Sequence, residues 1–326
     1  MRTELPICPI TPKVTHQGGV ITMGSCFSDE IGQRLHSAKF NTLVNPFGTI
    51  FNPISINNLI LTSLGENEID KNFITDREGL KLHHHYHSSF VDSSVEGLLE
   101  LLYNQHGNFN EQLKKTSHLI ITFGTSIVYS IDDQIVANCH KVPQKQFSKR
   151  MLNVNEIVEH CETTFNTLFS RHPNIQVVLT LSPVRHTKDS LITNSASKAT
   201  LRIAIEQLVT NHSRISYYPS YEIAMDDLRD YRFYKSDLIH LNDQGLHYIW
   251  EHFINSSMEE STIAIINDWK KIQNGLNHKP FNPASEGYMK FLTQLEKALM
   301  NIQTKLNVDQ EINQVQILRK QYENGL

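Results

Sequence analysis

The stretch Gly19-Val20-Ile21-Thr22-Met23-Gly24-Ser25-Cys26-Phe27-Ser28 decides the fold. Gly19 to Met23 is a short apolar run, as in a buried strand. Gly24 ends it, and Asp29 to Leu35 reads as a helix with Ser28 as its N-cap. Strand, tight turn and helix start form one βα unit, and the turn carries a hydroxyl and a thiol, Ser25 and Cys26. Backbone N–H groups at a helix N-terminus favour a thiolate and can receive an oxyanion. The same residues would equally serve as a helix cap and a small buried hydrophobe.

The unit recurs along the chain. His118 to Phe123 is a second apolar run, followed by Gly124-Thr125-Ser126, and Asn174 to Leu181 is a third, followed by Ser182-Pro183. Helical patterns at Glu96 to Tyr103, Val154 to His172 and Lys198 to His212 separate them. Continuous apolar strands alternating with helices predict an α/β fold, a mostly parallel sheet covered on both faces. Chemistry in such sheets collects at the carboxyl ends of the strands, where Gly24, Gly124 and Ser182 lie. Residues 70–95 and 129–150 break the alternation and read as excursions carrying loops or a hairpin.

The character changes near residue 256, which divides the chain into a core domain, 1–256, and a helical extension, 257–326. In the extension Tyr288, Leu292, Leu295, Leu299, Ile302 and Leu306 are spaced 4-3-4-3-4, a heptad seam on one helix. Three outcomes stay open for it: packing on the core, a hairpin with residues 309–323, or a homo-oligomer paired through the 288–306 helix.

Composition narrows the function classes. Of 326 residues, 39% are hydrophobic and 20% charged, enough for a sizeable core. A net charge of −4 argues against a dedicated nucleic-acid partner. No run of eighteen apolar residues suggests an integral membrane span. Cys8, Cys26, Cys139 and Cys161 show no C-x-x-C spacing, and scattered thiols suit a reducing compartment. With no apolar segment after Met1, the expected location is cytoplasmic. His83-His84-His85-Tyr86-His87 lacks the carboxylate or thiolate partner a metal site usually has, so no metal and no cofactor are expected. Motifs for nucleotide binding, zinc proteases and the G-x-S-x-G nucleophile turn are missing.

Far from the first turn, Asp237-Leu238-Ile239-His240 places a carboxylate and an imidazole three residues apart, before a helix from Leu246 to Phe253. An activated nucleophile needs a base, and the base needs an orienting acid. By itself the spacing is also that of a simple helix cap. Asn138-Cys139-His140-Lys141 offers an amide for an oxyanion or cations for an anionic substrate, or is a polar hairpin edge. Arg185 and His186, after the third strand, suit a carboxylate or phosphate, or a protein acid.

Taken together, the residues resemble the GSCFA family. Gly24-Ser25-Cys26-Phe27-Ser28 resembles its signature, in which alanine often holds the place of Ser28. The segments Asn45 to Pro53, His87 to Phe90, Phe123 to Tyr129, Val136 to Pro143, Ser182 to His186, Ser197 to Leu201, Tyr218 to Ile223 and Asp226 to Tyr234 follow in the family's order. The resemblance covers roughly residues 18–255. It implies an SGNH or GDSL-like hydrolase, a three-layer α/β/α sandwich that cleaves esters or transfers acyl groups, acting on a small-molecule ester or acyl substrate. Aligned without a gap, Cys26 falls at the nucleophile position, with Ser25 as runner-up, and Asp237 and His240 match the acid and base. Gly48 stands at the oxyanion glycine. The superfamily's G-x-N-D falls on Gly124-Thr125-Ser126-Ile127, without its asparagine, and Asn138 is the candidate replacement. His87, Gly124, Ser126, His140, Arg185 and His186 complete the expected substrate-binding set. The rival expectation is a catalytically silent scaffold that binds a small anionic ligand, or a protein partner through its C-terminal helix.

Overall fold

The computed structural model describes residues 3–7, 9–283 and 285–323; Cys8 lies outside them. The chain enters through β1 (Gly19–Gly24) and α1 (Cys26–Ser37), then β2 (Thr42–Val44) and α2 (Pro53–Ser63). A first antiparallel excursion holds β3 (Ile74–Arg77), β4 (Leu80–His83) and β5 (Val91–Asp92). Helix α3 (Val95–Leu113) returns to β6 (Thr116–Phe123), and a second excursion follows, β7 (Ile127–Ile131), β8 (Gln134–Val136) and β9 (Ser148–Met151). Then come α4 (Val154–Arg171), β10 (Gln176–Leu181), α5 (Leu191–Asn211), β11 (Ile215–Tyr218), the single turn α6 (Ser220–Glu222) and α7 (Asp243–Ser257). Helices α8 (Glu260–Leu276), α9 (Glu286–Ile302) and α10 (Asp309–Glu323) close the described chain.

The central sheet has the order β11-β10-β6-β1-β2 and is parallel throughout. Alternation along each strand divides the interior into two cores. Ile21, Met23, Leu119, Ile121, Val177 and Leu179 face α2 to α5, while Val20, Ile120 and Val178 face α1 and α7. The result is the expected α/β/α sandwich with a mostly parallel sheet.

Helix α1 starts earlier than the sequence pattern predicts. Ser25, not Ser28, is the N-cap, and its side chain accepts from the Phe27 N–H. Gly24 makes this turn: its φ is +127°, and a Cβ there would lie 2.2 Å from the Thr122 carbonyl oxygen. Ser28 Oγ instead donates to the Met23 carbonyl, sealing the same turn from inside. Cys26 therefore occupies the first helical position, with its side chain at the carboxyl end of the sheet.

The heptad seam is buried within the chain. Leu292, Leu295, Leu299, Ile302 and Leu306 pack with Trp269 and Ile272 of α8 and Val308 and Val315 near and on α10. Of the three outcomes left open, the hairpin within the chain is therefore formed, with α8 and α10 covering that apolar face. Trp269 Nε1 donates to the Ser37 carbonyl and Lys39 pairs with Glu311 at 2.6 Å, tying these helices to the end of α1. Among the described residues no helix is long and apolar enough to cross a membrane.

Candidate active site

Cys26 and His240 line one small cavity, about 40 Å³, together with Phe27, Glu30, Pro183, Val184 and Lys235. The two ends of the core thus meet, each delivered by local structure. His240 is held in a tight loop: Tyr234 bridges Leu241, the Lys235 N–H donates to the His240 carbonyl at 2.7 Å, and the Leu238 N–H donates to Lys235 O at 2.9 Å. Closing the loop forces Leu238 to φ +59°, a left-handed conformation that is costly for a bulky residue. Asn242 caps α7 and also donates to the carbonyls of Arg232 and Tyr234, fixing the loop to the helix behind it.

Asp237 orients the ring. Its Oδ2 accepts from His240 Nδ1 at 2.7 Å, and its Oδ1 accepts from the N–H groups of Ile239 and His240. These two backbone donors, then the imidazole, hold its carboxyl down at about 2. With Nδ1 protonated, Nε2 is left as the acceptor.

The thiol is held in its neutral form. Burial pushes the Cys26 pKa up, and Asp29 and Glu30 in the same helical turn add to this. Its own backbone N–H and Lys198 act in the opposite direction. Ser25 is only 1% exposed and serves the helix cap, so it is Cys26 that shares the cavity with His240.

Lys198, which sequence reasoning quoted but did not select, lies beneath this end of the sheet. It is 2% exposed, and its Nζ donates to the Ser182 carbonyl at 2.7 Å, one residue before the cavity-lining Pro183. Burial holds its ammonium down to about 7, partly offset by Cys26. The available signal was its place in the matched Ser197 to Leu201 segment, although a lysine within a helix ordinarily reads as solvated. His186 sits nearby, edge-on to Phe51; burial, then Lys198, lowers its pKa to about 4.

Several expected binding residues have other duties. The Gly48 N–H donates to Asn45 O at 2.8 Å, so the amide assigned to an oxyanion closes a turn. Its φ of +72° and the ring of His87 packed against it explain the glycine. His87 Nδ1 accepts from the Ser89 N–H, capping its own loop. The Asn138 side chain closes its own loop, its Oδ1 accepting from the His140 N–H, while its backbone carbonyl accepts from His84 Nδ1 of the first excursion. His140 is 3% exposed and donates from Nε2 to His83 O. Asn138 and His140 therefore clamp the two excursions together, and neither lines the Cys26 cavity. The Gly124 N–H donates to Phe51 O, and the Ser126 N–H to Ser197 Oγ, bracing the β6 end against α5 beside Lys198. Arg185 lines a second, larger cavity on the other side of the Asp237–His240 loop. Among the described residues no cluster of His, Cys, Asp or Glu has the arrangement to hold a metal ion.

The GSCFA family model matches residues 19–253, and a model described as the GSCFA domain protein, C-terminal domain, matches 269–320. The chain belongs to the GSCFA family. No curated protein matches its sequence. Among solved structures, a carbohydrate esterase family 3 from Talaromyces cellulolyticus is similar, at 11% identity and TM-score 0.34, covering 77% of this chain and 99% of that one. An acetyl esterase mutant with acetate ion is similar at 11% identity and TM-score 0.35, with the same coverage.

Proposed function

We propose that this GSCFA protein is an acyl hydrolase that cleaves a small-molecule ester through Cys26, His240 and Asp237. The observation that carries the reading is the single cavity shared by Cys26 and His240, with the far side of the imidazole held by Asp237 at 2.7 Å. The resting thiol is protonated, so His240 Nε2 takes the Sγ proton as the S–C bond to the substrate carbonyl forms. Collapse of the tetrahedral adduct breaks the ester C–O bond, and His240 returns the proton to the departing alkoxide. Water then attacks the thioester with His240 again as base, releasing the acid and restoring the thiol. An acyl acceptor in place of water makes the same site a transferase. The Cys26 N–H, which already acts on its own sulfur, is the backbone donor assigned here to the oxyanion.

Cys26→Ala and His240→Ala should each abolish turnover of an activated acetyl ester while the fold is kept, and Ser25→Ala should leave turnover within a few-fold. Trapping the acyl group on Cys26, read by mass mapping, is the direct test. Full activity with both Ser25 and Cys26 replaced by alanine would sink the mechanism.

One observation favours a second reading. Burial, Asp29 and Glu30 all push the Cys26 thiol up, which suits a scaffold that binds without catalysis. No acyl-enzyme on any ester, combined with saturable ligand binding, would select it.

A further inference from the structure

The Asp237–His240 loop has a second wall. Asp237, Leu238 and Ile239 border a cavity of about 460 Å³ that also contains Arg185, Arg229 and Tyr234. This is within the size range of small-ligand sites, whereas the 40 Å³ space at Cys26 has room for only a short acyl group.

The charges around the larger cavity are unevenly partnered. Both its carboxylates are engaged. Asp230 accepts from the backbone and side chain of Arg232, and Asp237 accepts from two N–H groups and His240. The guanidinium groups are not matched in this way. Arg185 donates to Tyr234 Oη at 3.3 Å and to Met225 Sδ at 2.8 Å, lies over the Tyr234 ring, and makes no salt bridge among the described residues. Among the described residues Arg229 pairs only with Asp226, at 3.9 Å, with both side chains largely exposed. Behind them the buried Lys198 donates to a backbone carbonyl, not to an acid. A guanidinium that lines a cavity without an acid keeps donors free for a ligand's anion.

The rim is apolar. Leu191, Tyr231 and Leu238 are 59%, 73% and 54% exposed, and Leu238, in its left-handed conformation, borders the cavity beside Asp237. Cations within and exposed apolar groups around them describe a ligand with an anionic group on an apolar or aromatic body.

We infer that this cavity holds an anionic group, carboxylate or phosphate, carried on the leaving alcohol of the ester, with Arg185 as its main ligand. That the bound group belongs to the substrate rests on the hydrolase reading above. That the cavity binds such an anion does not.

The test uses the full chain and two readouts. Titration calorimetry with phenyl phosphate and with benzoate, against neutral benzyl alcohol, measures binding directly. At least one anion should bind the wild type at least about tenfold more tightly than the alcohol, and which one does identifies the group. Arg185→Met should weaken that binding about tenfold or more, Arg185→Lys should fall between, and Cys26→Ala should bind as the wild type does. Arg229→Gln, on an exposed side chain that should not disturb folding, should weaken it several-fold and decides the question should Arg185→Met fail to fold. Equal affinity for the alcohol and both anions, or anion binding unchanged in the arginine variants, overturns the inference.

In the second readout, 4-acetoxybenzoate should be cleaved with a kcat/KM about tenfold above that of phenyl acetate, mainly through KM, and Arg185→Met should erase the preference. Cleavage of phenyl acetate without anion binding overturns this inference and leaves the hydrolase reading standing. Anion binding without cleavage of any ester does the reverse.

Discussion

Lys198 Nζ donates to the Ser182 carbonyl at 2.7 Å, joining the middle of α5 to the end of β10 at 2% exposure. The bond satisfies one donor, but no carboxylate partners the charge among the described residues. Burial holds the ammonium down to about 7 from 10.5. Between those values the unfolded chain binds a proton that the folded chain does not, so stability rises with pH across that window. Urea titrations should show this rise between pH 7 and 8.5, at about 1 kcal/mol per pH unit. Lys198→Met should remove the slope while staying within about 2 kcal/mol of the wild type at pH 7, because lost desolvation offsets the orphaned carbonyl. A wild-type slope that survives in the variant would assign the titration to other groups.

Asp237 is expected to act through the ring it holds. Asp237→Asn keeps the side-chain shape and an oxygen for the loop N–H groups but permits the wrong imidazole tautomer. Ester kcat should fall roughly 10²- to 10⁴-fold, with KM nearly unchanged and the melting temperature within a few degrees. A fall confined to KM would reassign Asp237 to substrate binding.

Thiol titration checks the charge balance at Cys26. The raised pKa means the thiolate appears only at high pH, so iodoacetamide labelling in His240→Ala should climb about tenfold per unit from pH 7 to 9 without a plateau. Removing the acidic neighbour in Asp29→Asn should shift the curve to lower pH. A plateau below pH 8 would show that the helix N-terminus and Lys198 outweigh burial.

Buried histidines should make the fold acid-labile. Burial holds His83 down at about 3 and His85, His106 and His186 at about 4. The unfolded chain protonates these rings near 6.5 while the folded chain keeps them neutral, so stability is complete above pH 6.5 and falls as pH drops toward 4. Each ring contributes up to about 1.4 kcal/mol per pH unit in that window. The urea midpoint should be flat from pH 7 to 8 in the Lys198→Met background and drop steeply below pH 6. A midpoint unchanged between pH 6.5 and 4.5 contradicts the burial of these rings.

Leu299 is fully buried among α8, α9 and α10. Leu299→Ala should cost about 2–5 kcal/mol and raise amide exchange first in α9 and α10, where Glu296 also pairs with Arg319. Uniform loss of protection across the core strands would mean that the helices and the sandwich unfold together.

Much of the sheet was legible because its strands are buried on both faces and read as unbroken apolar runs. His118 to Phe123 and Asn174 to Leu181 match β6 and β10 closely. That Cys26 and His240 would line one cavity was legible only through matched motifs, since no local pattern links residues more than two hundred positions apart. The start of α1 was misjudged by three residues because the cap is chosen by the Gly24 turn, whose +127° φ is imposed by contact with β6. Asn138 and His140 read as substrate-binding candidates or a polar hairpin edge, but packing of the two excursions engages the Asn138 carbonyl with His84 and the His140 ring with the His83 carbonyl.

By itself, the amino-acid sequence determined the parallel α/β core, the family, and the thiol, carboxylate and imidazole available to it, because period, turn chemistry and residue type are local properties. Only the tertiary structure decided that Lys198 is buried under the site, that Gly48 is engaged in a turn, that the heptad seam faces its own chain, and that Arg185 opens into a cavity without an acid. Burial and charge partnering are set by segments distant in sequence, and no single stretch of the chain records which of them will meet.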